Sequence, residues 1–271
     1  MRVTVISGGT DGMGRGTLEA RLRRGDEVVA IGSNPAKGRS VQALSDRAHF
    51  LRADLRSVAE TRRAVDVIRH RWPTVDALVL CANRQSPRRV VTDEGLEQTF
   101  ALYYLSRYLL SHGLRDQLDT AERPVVVNVA GVGVTRGAIH WDDLQLADGY
   151  GMVDAQLQAG RANDLLGVDF AARSGGRTRY VLYHPGFTRS GDLSTLPAPV
   201  RGVVRAASVF ARPVGTSIRP IVRWIDDPPS DALTANDRGR PVPLSTGTLD
   251  PVAARRLGTL TDQLLARLDA G

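Results

Sequence analysis

Apolar residues recur in short runs separated by amphipathic stretches. The runs at 3–7, 27–31, 49–52, 77–81, 124–130 and 178–183 have the length of strands. The segment Ala77-Leu78-Val79-Leu80-Cys81 is apolar at every position, which suits a parallel strand covered on both faces. Between these runs, 12–24, 35–46, 57–71, 95–118 and 150–173 carry helical patterns. Strand and helix therefore alternate, and the alternation predicts an α/β fold, a doubly wound parallel sheet with helices on both faces. After Pro185 the pattern changes, because prolines at 197, 199, 213, 220, 228 and 229 break the chain into short pieces. Within that tail 202–211 and 216–226 read as helices. A stronger one covers 251–268, with Leu257, Leu260, Leu264 and Leu268 at helical spacing.

The turn after the first strand is Ser7-Gly8-Gly9-Thr10-Asp11-Gly12-Met13-Gly14. Glycine permits a tight turn and lets backbone N–H groups approach a pyrophosphate, and the helix N-terminus adds favourable charge. A strand before and a helix after are the context a Rossmann-type dinucleotide site requires; a glycine-rich turn without a ligand is the alternative. The second strand ends in Gly32-Ser33-Asn34, followed by Lys37 and Arg39. An acidic residue there would hold the ribose 2′-hydroxyl of NAD(H) and repel a 2′-phosphate. Hydroxyl, amide and cation suit the phosphate, so NADP(H) is favoured over NAD(H). Asp11 and the lack of arginine at position 33 weigh against a tight phosphate site, and Ser33 and Asn34 also read as a helix cap.

Composition narrows the function further. Cys81 is the only cysteine, so no disulfide within the chain and no cysteine metal cluster can form, and no metal is expected. The net charge is +7, but the basic residues are scattered singly, and no nucleic-acid partner is expected. No apolar run is long enough to span a bilayer. The glycine turn begins too early for a secretory signal, so a cytoplasmic location is expected. The chain reads as a single domain over 1–271, a dinucleotide-binding core over 1–190 and a C-terminal segment, 191–271, that covers the substrate. In that segment Leu193, Leu196, Val203, Val204 and Phe210 suit a hydrophobic small molecule.

Several motifs carry a resemblance. Gly8, Gly12 and Gly14 fit TGxxxGxG, with Ser7 in place of threonine. Leu80-Cys81-Ala82-Asn83 stands, altered, where Asn-Asn-Ala-Gly is expected. Asp54-Leu55, Thr92-Asp93-Glu94-Gly95-Leu96-Glu97, His140-Trp141-Asp142-Asp143-Leu144, His184-Pro185-Gly186-Phe187-Thr188-Arg189 and Arg240-Pro241-Val242-Pro243-Leu244-Ser245 complete the set. On these the chain resembles the short-chain dehydrogenase/reductase family, in its retinol-dehydrogenase-like branch, over almost its whole length. The resemblance implies a sheet of about seven strands. It also implies a homodimer or homotetramer built through 95–118 and 150–173. Its cofactor residues fall on Gly8, Thr10, Gly12, Met13, Gly14, Ser33, Asn34, Lys37, Asp54, Leu55, Cys81, Ala82, Asn83, Pro185, Gly186 and Thr188.

That family works with a Tyr-x-x-x-Lys pair, a serine and an asparagine. Here the four positions fall on Gln156, Gly160, Gly131 and Tyr103. Lys37 is the only lysine, so no shift of register creates the pair. Arg161 neighbours the lysine position but is rotated from it by about 100° on a helix. Tyr103, Gln156 and Tyr150 are the candidates to act instead. Arg84, His140 and Asp154 are further polar groups near the cleft, and His184 reads as support for the loop before Pro185. The expectation is an NADP(H)-binding tailoring enzyme of specialised metabolism. Its chemistry would be atypical redox or non-redox, as in an isomerase, cyclase or dehydratase. A non-catalytic sensor or partner protein is the alternative.

Overall fold

The structure, a computed structural model, describes residues 1–173, 175, 177–188 and 211–270. The apolar runs form strands β1 (Val3–Ser7), β2 (Glu27–Gly32), β3 (Ala48–Arg52), β4 (Ala77–Leu80), β5 (Val125–Val129) and β6 (Arg179–His184). Two more strands follow, β7 (Leu233–Asp237) and β8 (Arg240–Pro241), in a stretch with no apolar run. All join one eight-stranded sheet in the order β3-β2-β1-β4-β5-β6-β7-β8. Only the β7–β8 pair is antiparallel. The order reverses between β1 and β4, and that is where an open α/β sheet leaves a crevice at its carboxyl edge.

Helices α1 (Gly12–Leu22) and α2 (Pro35–Gln42) cover one face, and α3 (Val58–Arg71) and α7 (Met152–Arg173) the other. Side chains alternate across β4, so Val79 packs with Ile6, Val28 and Val127, while Leu78 packs with Val126, Leu165 and Phe170. The described tail adds a helix to each face. Helix α8 (Val214–Asp226) lies on α1, where a Cβ on Gly16 would come within 2.8 Å of Val214. Helix α9 (Pro251–Ala270) lies on α7, with Arg173 Nη1 donating to Asp262 Oδ2 at 3.2 Å. The positions named in the sequence as a hydrophobic lining, and all but the last residue of the helix read over 202–211, fall outside the described residues.

The long helix read over 95–118 is broken into pieces. Gly95 sits in a turn at φ +78°, and Glu97 caps the short α4 (Gln98–Phe100) by accepting from the Thr99 and Phe100 amides at 2.7 Å. A π-helical turn, Ala101–Leu105, separates α4 from α5 (Ser106–Gly113), and α6 (Arg115–Asp119) follows. Such turns insert an extra residue into the helical period and are frequent at functional sites. Here the inserted turn carries Tyr103.

Candidate active site at the carboxyl edge of the sheet

A cleft of about 880 Å³ runs along the carboxyl ends of the strands. The sixteen cofactor positions named from the sequence, from Gly8 to Thr188, all line it. Its floor at the glycine turn leaves no room for side chains. A Cβ on Gly8 would lie 2.9 Å from Ala82 Cα, and one on Gly14 would collide with the Gly8 carbonyl oxygen. The chain turns there with Gly8 at φ +69° and Gly12 at φ +51°. Asp11 caps α1 through the Gly12 amide at 2.7 Å. The next amides of the first turn, Met13 and Gly14, have no carbonyl of their own helix to reach and form the anion-facing end. A backbone cradle of this shape fits the pyrophosphate of a dinucleotide.

At the far side of this end, Asn34 caps α2, its Oδ1 accepting from the Ala36 and Lys37 amides at 2.9 and 3.1 Å. The Lys37 ammonium meets the Asp11 carboxylate at 2.5 Å. Arg56, which sequence reasoning missed, also lines the cleft. Its guanidinium forks onto Asp54, Nε to Oδ1 at 3.0 Å and Nη2 to Oδ2 at 2.6 Å, while Nη1 donates to Gln98 at 2.8 Å. Burial raises the Asp54 carboxyl, but the bonds from Arg56 outweigh it and hold it below its usual range. Cys81 is desolvated, its thiol pushed up to about 12 by burial against a small pull from Arg107, so it stays a neutral, inert wall.

The other end is built from side chains. Tyr103 lines the cleft and is 7% exposed. Its ring lies under the guanidinium of Arg107, whose Cζ is 4.6 Å from the ring centre. Arg107 is fully buried. It donates to Asn128 Oδ1, to the Val129 carbonyl at 2.8 Å and to the Ala82 carbonyl at 2.9 Å. Asn128 in turn donates to Asn163 at 3.0 Å and to the Tyr180 hydroxyl at 2.9 Å, and Asn163 donates to the Tyr103 carbonyl at 2.7 Å. Burial pushes the Tyr103 phenol above its usual range, Arg107 pulls it back and Asp164 adds to the rise, so the hydroxyl is a proton-bearing donor at neutral pH. Sequence alone gave Arg107 no role, because it reads as one more surface charge in an amphipathic stretch.

The other catalytic candidates stand apart from the cleft lining. Gln156 receives a bond from the Asn83 amide at 3.1 Å and donates to the Arg84 carbonyl at 3.3 Å. Tyr150 donates to the Ser86 carbonyl at 2.7 Å. Both tie the loop after β4 to α7 and its approach. At Gly160 a Cβ would meet nothing within 4 Å, and at Gly131 only Val134, at 4.0 Å. Both glycines are thus uncrowded, and their chain neighbours Ala130 and Ala159 pack with Tyr103. Arg161 points elsewhere, donating to the Val134 and Thr135 carbonyls at 3.2 and 3.3 Å. Among the described residues no group of three His, Cys, Asp or Glu is placed to hold a metal. No helix among them is long and apolar enough to cross a membrane.

This arrangement, a glycine cradle at the switch point of a parallel sheet and a polar centre at its carboxyl edge, defines a dinucleotide-dependent oxidoreductase scaffold. The family model for short chain dehydrogenases matches residues 2–142, and the chain belongs to that family, which binds a nicotinamide dinucleotide. Its relatives include the retinol-dehydrogenase-like branch. The chain is 30% identical to human polyprenol dehydrogenase over 168 residues, 58% of this chain and about half (51%) of that protein. It is 30% identical to bovine retinol dehydrogenase 12 over 203 residues, 70% of this chain and 62% of that one. It is 28% identical over 272 residues to DnrU of Streptomyces sp. strain C5, a protein assigned as a daunorubicin C-13 ketoreductase, covering 94% and 90% of the two chains. Among solved structures, an uncharacterised protein from Mycobacterium paratuberculosis superposes with TM-score 0.76 at 22% identity, covering 97% and 93%. A Shigella flexneri short-chain dehydrogenase complexed with NADP superposes at 0.64 (16% identity; 88% and 97% covered). A Pseudomonas 3-alpha-hydroxysteroid dehydrogenase complexed with NADH superposes at 0.66 (18% identity; 88% and 96% covered).

Proposed function

We propose that the protein is an NADP(H)-dependent reductase of a bulky hydrophobic ketone, a tailoring enzyme of specialised metabolism that works without the family's tyrosine–lysine pair. The single observation that carries this reading is Tyr103, a buried phenol that lines the cleft and packs on Ala130 and Ala159, the neighbours of the uncrowded Gly131 and Gly160, with Arg107 stacked on its ring. When bound, the dinucleotide supplies the hydride. Gly8, Gly12, Met13 and Gly14 would hold its pyrophosphate, Asp54 and Leu55 its adenine side, and Pro185, Gly186 and Thr188 its nicotinamide side. Ser33 and Lys37, with no acid at the end of β2, favour a 2′-phosphate. Tyr103 donates a hydrogen bond to the carbonyl oxygen and orients it. The uncrowded backbone at Gly131 and Gly160 favours a large substrate, and the likeness over 94% of this chain to a protein assigned as a daunorubicin C-13 ketoreductase supports that class.

The test is calorimetric titration with NADP⁺ and NAD⁺, followed by NADPH consumption with daunorubicin, retinal and phenanthrenequinone. Expected are binding at least about tenfold tighter for NADP⁺ and consumption that requires a ketone. Tyr103→Phe should lower kcat by about 10²-fold and leave dinucleotide affinity unchanged. Binding without consumption by any ketone would sink the redox reading and favour a ligand-binding protein.

A further inference from the structure

His184 and Asp237 face each other in the register of β6 and β7, at the carboxyl edge of the sheet. Imidazole Nδ1 lies 2.8 Å from Asp237 Oδ1. Arg238 fixes that carboxylate twice more, Nε to Oδ1 and Nη2 to Oδ2, both at 3.0 Å. The Arg238 amide donates to the His184 carbonyl at 2.8 Å, so the pair is anchored to the sheet itself. Burial raises the Asp237 carboxyl, the bonds from Arg238 and His184 outweigh it, and it remains below its usual range. An ionised Asp237 keeps the proton on Nδ1 and turns Nε2 into the exchanging nitrogen. His184 lines the cleft, and its side chain is 26% exposed.

The neighbours give this imidazole a place in the chemistry. The β5–β6 register ends at Val129 opposite Tyr183, and the Ala130 amide donates to the Tyr183 carbonyl at 2.9 Å. Ala130 therefore stands beside His184, and it packs against Tyr103. Gly131, where the family's serine falls, is the next residue. His184 and Tyr103 thus flank Ala130 at the point where other side chains have been lost. The charged groups the structure places at the imidazole are Asp237, at the end of β7, which contacts it, and Arg238, in the turn that follows, which holds that carboxylate; Tyr103 lies on the other side of Ala130. A residue that only braced the loop before Pro185 would not need an exposed ring edge in the cleft, since Arg238 already ties that loop to β7.

We propose that His184, oriented by Asp237, transfers the proton in this cleft, while Tyr103 holds the substrate oxygen; this rests on the reductase reading above. In the reduction, the carbonyl carbon accepts the hydride from the reduced dinucleotide and its π pair moves to oxygen. The oxygen then takes the proton from Nε2, leaving a neutral imidazole that water reprotonates. Asp237 is a positioning residue and does not change protonation.

The experiment compares wild type, His184→Gln and Asp237→Asn in dinucleotide binding, NADPH-dependent reduction of daunorubicin and phenanthrenequinone across about pH 5–9, and labelling by diethyl pyrocarbonate mapped by mass spectrometry. His184→Gln should keep NADP⁺ affinity within about twofold. It should lower kcat by about 10²-fold, abolish the wild type's loss of kcat with rising pH, and recover turnover with added imidazole in the smaller His184→Gly variant. Asp237→Asn should lower kcat with KM unchanged. In wild type, NADP⁺ should slow carbethoxylation of His184. Unchanged kcat and pH profile in His184→Gln would overturn the proposal. If the wild type reduces no ketone, the reductase reading falls, and the labelling decides separately whether His184 faces the dinucleotide: a His184 that NADP⁺ does not protect overturns the placement as well.

Discussion

The two ends of the cleft are built from different material. At the Gly8–Gly14 end the contact surface is backbone, and the residues are defined by the side chains they lack: a Cβ at Gly8 or Gly14 has nowhere to go. At the Tyr103 end the surface is made of side chains, with Tyr103 packed on Ala130 and Ala159 next to the uncrowded backbone of Gly131 and Gly160. A backbone site ties its sequence to its geometry, because replacing a glycine moves the chain. A side-chain site can be re-equipped in place, since removing a lysine or serine leaves room that a tyrosine or histidine from a neighbouring element can use. A change of side chains at one end therefore does not imply loss of binding at the other.

Arg107 is the sharpest probe of that separation, because it touches both ends. It holds Asn128 and the Val129 carbonyl on the Tyr103 side and the Ala82 carbonyl behind Gly8 on the other. Arg107→Met would leave three acceptors, two of them buried, without this donor and Tyr103 without its stacked cation. A loss of about 3–5 kcal/mol in unfolding free energy is expected, read by urea denaturation, together with weaker NADP⁺ binding. If stability falls but dinucleotide affinity holds, the two ends are more independent than this buried arginine indicates.

A second difference is electrostatic. Near Tyr103, helix α7 buries Asp164, whose carboxyl is pushed up to about 7 by desolvation, against the pull of Arg161 at 3.8 Å. The folded state thus holds a proton that the unfolded chain releases near its ordinary value of about 4. This group's contribution to stability is full below that value and is lost as pH rises through about 7. Asp164→Asn should be nearly neutral at about pH 4 and stabilising by on the order of 2–3 kcal/mol at about pH 8, measured as the difference in urea midpoints. Equal effects at both pH values would show that Asp164 is not held protonated.

Much of this architecture is legible in the sequence, for physical reasons that also mark the limits. Buried parallel strands must be apolar on both faces, so Ala77–Leu80 and Val125–Val127 declare themselves, and the glycine cradle does so through the residues it cannot accommodate. Strand β7 does not, because only Ala235 of its five residues is buried and the segment Leu-Thr-Ala-Asn-Asp carries no pattern. The π-helical turn is silent too, since Ala-Leu-Tyr-Tyr-Leu suits an α-helix equally well. The carboxyl edge at the Tyr103 end brings together pairs distant in the chain, such as His184 with Asp237. Arg107 looks like a solvated charge until the fold buries it under Asn128. Side-chain constellations assembled by topology leave no local signal, whereas backbone requirements do.

If side chains at the glycine end only tune a backbone-built site, their removal should change selectivity and little else. Lys37 and Asp11 are the test, an exposed pair at 2.5 Å whose net contribution to folding is about 0–1 kcal/mol. Lys37→Ala should leave the unfolding free energy within that range. It should weaken NADP⁺ by several-fold while leaving NAD⁺ unchanged, because in the proposed binding mode only the 2′-phosphate would meet the ammonium. Asp11→Asn keeps the cap on Gly12, since asparagine caps as well as aspartate. It releases Lys37 from its carboxylate and should strengthen NADP⁺ by a few-fold. Calorimetric titration of both variants with both dinucleotides reads the effect directly. A Lys37→Ala variant that loses NAD⁺ and NADP⁺ affinity equally would place the lysine on the pyrophosphate instead, and would mean that side chains share the work that the comparison assigns to the backbone.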